Sequence, residues 1–85
     1  MTVEQLRINH INHNPGSHFF DAETLRCFGE RMSEMRVLQG TVNVESAGGF
    51  PHTCYVLSSL QRNAPGGPRR FYHYFDVETF EHVIV

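Results

Sequence analysis

The chain has 85 residues, one domain's worth of sequence, and a core of that size leaves only marginal stability. Hydrophobic residues make up 40% and charged residues 19%, a balance that excludes a disordered chain. A net charge of -2 argues against a dedicated nucleic-acid binder, which is basic over its whole domain, and no apolar run approaches the length that spans a bilayer.

In chain order, Thr2 to Ile11 predicts a short helix, with Thr2 and Gln5 at capping-box spacing and Leu6 as its one strong apolar residue. Asn12-His13-Asn14-Pro15-Gly16-Ser17 is a loop, because Pro-Gly sets the backbone angles of a turn. The main helix is predicted from Ala22 to Met35. Asp21 serves as its N-cap, Glu23 complements the positive helix end, and Phe20 and Leu25 take the places of a hydrophobic staple. Leu25, Phe28, Met32 and Met35 recur at three- and four-residue intervals, giving one apolar face.

From Val37 the pattern turns to strand formers, namely Val37, Leu38, Thr41, Val42 and Val44, interrupted by Gly40 at a turn or bulge. A loop over Ala47–Pro51 precedes His52 to Leu60. There Cys54, Val56, Ser58 and Leu60 alternate with Thr53, Tyr55, Leu57 and Ser59. Gln61 to Pro68 is a long connection rich in Gly and Pro. Arg69 to Phe75 is the strongest strand, with Phe71, His73 and Phe75 on one side and Arg70, Tyr72 and Tyr74 on the other. A turn at Asp76-Val77-Glu78-Thr79 leads to a last strand, Glu81 to Val85. This order predicts one α+β domain over 1–85. Its three- to four-stranded antiparallel meander sheet packs on one main helix, with a short N-terminal helix besides and residues 1–15 as a loosely attached segment.

The two cysteines, Cys27 and Cys54, form no CxxC pair and read as reduced thiols of a cytosolic protein. The opening Met1-Thr2-Val3-Glu4-Gln5 lacks the basic start and apolar core of a signal peptide, so the expected location is the cytoplasm in which the chain is made. Ser58, Ser59 and Cys54 have no base-and-orienter arrangement, and Pro65-Gly66-Gly67-Pro68 lacks the Lys and helix of a phosphate loop. The expectation is a protein without catalytic activity or cofactor. His10, His13 and His18 cluster near the first loop and offer imidazole nitrogens, but no acidic or thiol partner stands at a recognised spacing, so no metal site is assigned.

The binding candidates lie on the basic-aromatic strand and the connection before it: Arg69, Arg70, Tyr72, Tyr74 and Arg62. Arginines and tyrosines are favoured anchors of protein interfaces. The same residues suit single-stranded nucleic acid, with arginine on phosphate and tyrosine stacked on bases.

Gly16-Ser17-His18-Phe19-Phe20-Asp21-Ala22-Glu23-Thr24-Leu25-Arg26-Cys27-Phe28-Gly29 resembles the opening of a small domain common in bacteriophage and prophage genomes. In that family a G-x-H-F-F segment enters a helix reading T-[LM]-R-x-F. Strands similar to Tyr55-Val56-Leu57-Ser58-Ser59 and Pro68-Arg69-Arg70-Phe71-Tyr72-His73-Tyr74-Phe75-Asp76 follow. Phe80 departs from the pattern, which often has Gly in the final turn. The resemblance implies a mobile-element accessory protein without catalytic residues; by analogy with other small phage proteins, the expected role is to bind a host protein or nucleoprotein complex, such as a CRISPR or other defence complex, and inhibit it. The alternative is a single-stranded nucleic-acid binder using Arg69–Phe75. Small size makes a homodimer reasonable, and no membrane partner is expected.

Overall fold

Capping chemistry sets the first element. In the computed structural model, which describes residues 1–16, 33–62 and 65–85, helix α1 runs Val3–His13. The Thr2 hydroxyl accepts from the Gln5 amide at 3.1 Å, and the Gln5 side chain accepts from the Thr2 amide at 2.8 Å. Two backbone donors that the helix leaves orphaned are thus satisfied reciprocally. Thr2→Ala is expected to lower stability by about 1 kcal/mol in urea titration, the usual worth of such a cap. At the other end, Asn14 Nδ2 donates to the carbonyls of His10 and Thr79, both at 3.0 Å, and so ties the helix terminus to a distant turn.

Among the described residues five strands follow: β1 Ser33–Val37, β2 Val42–Glu45, β3 Pro51–Gln61, β4 Arg69–Asp76 and β5 His82–Val83. All pairings are antiparallel, with β3 against β4 and β4 against β5. β1 and β2 lie one after the other along the same edge of β3. Between the pairs Val37–Leu57 and Val42–Cys54 the edge chain advances five residues where β3 advances three. Gly40, at φ 82, sits in this excess, and its backbone takes the left-handed turn that a side chain would strain. The sheet is therefore a four-strand meander whose first strand is broken in two, on which a helix packs.

Register sorts the side chains. Tyr55, Leu57, Phe75 and Val37 share the face on which α1 lies, and Leu6, Leu57 and Phe75 form the core cluster there. Cys54, Val56, Ser58 and Val83 are buried on the opposite face. Residues 1–15, read from sequence as loosely attached, contribute Leu6 and His10, both at most 2% exposed.

The predicted helix Ala22–Met35 lies outside the described residues except at its end, which the structure corrects. Ser33–Met35 belong to strand β1, where Met35 and Val37, two residues apart, pack on the core while Arg36 between them is exposed. Period-two spacing decides a strand that must pair with β3. The last strand is also shorter than expected, His82–Val83 rather than Glu81–Val85. Phe80 adopts φ 55, a region that suits glycine. Its ring stacks on Tyr55 at 5.8 Å and meets the His13 ring at a tilt at 5.0 Å, and its amide donates to the Asp76 carbonyl, contacts that offset the backbone strain.

Candidate functional site

Alternation along β4 delivers every second side chain to one face. Arg70, Tyr72 and Tyr74 stand opposite Leu60, Ser58 and Val56 of β3, on the side away from α1. Arg70 Nη1 donates to Ser58 Oγ at 2.9 Å, which anchors the guanidinium base over the sheet. Tyr72 is 50% exposed, whereas Tyr74 is half-buried. The two tyrosines, with Leu38, Val42, Val44 and Val56, line a shallow apolar cleft of about 300 Å³. Arg36, exposed on β1 opposite Ser58, adds a second cation to the Arg70 end of this face.

The other two sequence candidates lie elsewhere. Arg69, two residues before Phe71, falls by alternation on the α1 face, and Arg62 is exposed in the turn that leaves β3. The strand thus brings three of the five candidates together. Sequence reasoning did not identify Leu38, Val42, Val44 and Val56 as lining residues. They come from three segments, β2, β3 and the β1–β2 link, that only the register assembles.

The histidines of the first loop have structural partners. His10 Nδ1 donates to the Phe80 carbonyl at 2.7 Å, and its ring meets Phe75 edge-on at 5.4 Å. His13 Nδ1 donates to the Asn9 carbonyl at 2.9 Å. His18 lies outside the described residues.

A different polar cluster forms at the far end of the cleft-bearing face. His52 Nδ1 donates to Asp76 Oδ2 at 2.8 Å, with both side chains largely buried. The other carboxylate oxygen of Asp76 accepts from the amides of Glu78 and Thr79. Burial works to raise the Asp76 carboxyl, and the hydrogen bonds from His52, Thr79 and Glu78 outweigh it, leaving the group below its ordinary value. Cys54, fully buried and paired with Asp76 in register, has its thiol pushed up by burial and then by the charges of Asp76 and Glu81. Such a thiol stays protonated and is a poor nucleophile.

Among the described residues no helix is long and apolar enough to cross a membrane. Comparison with protein-family models, with curated proteins and with solved structures found no match to this chain.

Proposed function

We propose that this chain is a non-catalytic binding domain that docks on a protein partner through the face carrying Arg70, Tyr72 and Tyr74. The observation that carries the reading is the apolar cleft beside a half-exposed tyrosine, with the exposed Arg36 and Arg70 at one end. An aromatic anchor at an apolar depression, with arginine beside it, is the composition of an interface hot spot. Charge complementarity defines the occupant: a segment that seats an apolar side chain in the cleft and presents a carboxylate to the arginines. Following the phage-domain resemblance, the partner is a host complex of the bacterial cytoplasm, and the consequence of docking is its inhibition by occlusion.

The test is a tagged pull-down from bacterial lysate, with and without nuclease, repeated with variants. A partner that survives nuclease should be lost with Tyr72→Ala, which is expected to weaken binding about 30-fold, and reduced about tenfold with Arg70→Ala. Arg69→Ala, on the opposite face, should leave recovery unchanged. Single-stranded nucleic acid, the alternative occupant, would instead disappear on nuclease treatment and lose affinity steeply with salt. Recovery of one partner by wild type, Tyr72→Ala and Arg70→Ala alike would place the interface elsewhere.

A further inference from the structure

We propose that His52, Asp76 and Glu81 form a binding site for a divalent cation of the zinc class. One donor atom from each residue lies within 4.8 Å of the other two. The three come from separate segments held by backbone hydrogen bonds. His52 is near the start of β3, Asp76 ends β4, and Glu81 directly precedes β5. The Asp76 amide donates to the Glu81 carbonyl at 3.0 Å, which fixes the two acidic residues across the turn.

The donor set is one imidazole and two carboxylates, a combination that zinc accepts with water completing its tetrahedron. Ligand atoms around tetrahedral zinc are about 3.4 Å apart. His52 and Asp76 already stand at 2.8 Å; the cation takes the place of the proton between them, which passes to Nε2 as His52 changes tautomer, and the two side chains part slightly. Glu81 is exposed, and a change of rotamer closes the remaining gap. Asp76 is oriented in advance, because the Glu78 and Thr79 amides hold one oxygen and leave the other facing His52.

Access agrees with this assignment. Two open clefts, about 250 and 330 Å³, flank the cluster; His52 lines both, Glu81 the first and Asp76 the second. The site adjoins the cleft proposed for the protein partner, since Val44 of that cleft pairs with His52, but it does not rest on that reading.

Glu81→Gln is the decisive variant, since the hydrogen bonds that Glu81 makes in the turn come from its backbone. Untagged full-length chain, stripped with a chelator, is titrated calorimetrically with zinc chloride. Wild type should bind one ion per chain, and Glu81→Gln should bind at least about tenfold more weakly while keeping the wild-type melting temperature without metal. His13→Ala, which removes a competing histidine near the surface of α1, should bind as wild type does. Absence of binding, binding unchanged by Glu81→Gln, or binding lost with His13→Ala would each overturn the assignment.

Discussion

Phe75→Ala is expected to cost the chain most of its stability while leaving enough to measure a urea midpoint. Phe75 is fully buried at the centre of the core cluster with Leu6 and Leu57. The ring also meets His10 at 5.4 Å and His82 at 5.2 Å. Truncating a buried phenylalanine costs about 3–5 kcal/mol in lost transfer energy and residual cavity. A chain of this length has roughly 4–13 kcal/mol of total stability, and small cores sit low in that span. The loss therefore consumes most of what holds the fold. Leu6→Ala is the informative companion, because it removes the main side chain by which α1 grips the sheet. Its expected cost is about 2–5 kcal/mol, with helix signal lost ahead of sheet signal in circular dichroism. Urea midpoints are the measurement, with Tyr72→Ala as the surface reference. A Phe75→Ala midpoint close to that of Tyr72→Ala would show that the core is centred elsewhere.

The contrast between these sites tracks how far the sequence reveals each. β4 was legible because one of its faces meets the core and the other leaves Tyr72 exposed, so alternation has a physical cause there. The α1 cap was legible because Thr2 and Gln5 act through local backbone groups. β3 defeats the same logic. Leu57 and Ser59 are buried on one face and Cys54, Val56 and Ser58 on the other, so its alternation does not mark an outer side. The broken edge strand was hidden because Gly40 signals a turn or bulge without saying that β1 and β2 share one partner. The Met32–Met35 spacing fits a helix equally well, and pairing with β3 decides otherwise for Met35. His52 and Asp76 are 24 residues apart and become neighbours only through the β3–β4 register. No sequence spacing encodes that meeting.

Acid should destabilise the chain well before its carboxylates titrate. Beneath α1, His73 and His82 are half-buried with ring centroids 5.8 Å apart, close to the buried His10. Burial, followed by the charges of His73 and His10, pushes His82 down to about 4. Burial alone lowers His73. Both groups resist protonation when folded and accept it freely, near 6.5, when unfolded. The unfolded chain therefore binds more protons between those values, and stability falls as pH falls. Their stabilising contribution is complete above about pH 7, declines below 6.5, and for His82 is spent near pH 4. Asp76, held below its ordinary value, adds a second loss only as pH falls further, because its contribution disappears on protonation. After discounting for partial exposure, His82 accounts for about 2 kcal/mol. In a domain of this size that is roughly a 10 °C drop in Tm between pH 7 and pH 4.5. His82→Gln, which cannot titrate, should melt lower at pH 7 but lose about half as much on acidification. A wild-type Tm that stays level from pH 7 to pH 5 would show that the imidazoles beneath α1 reach solvent on protonation at little cost.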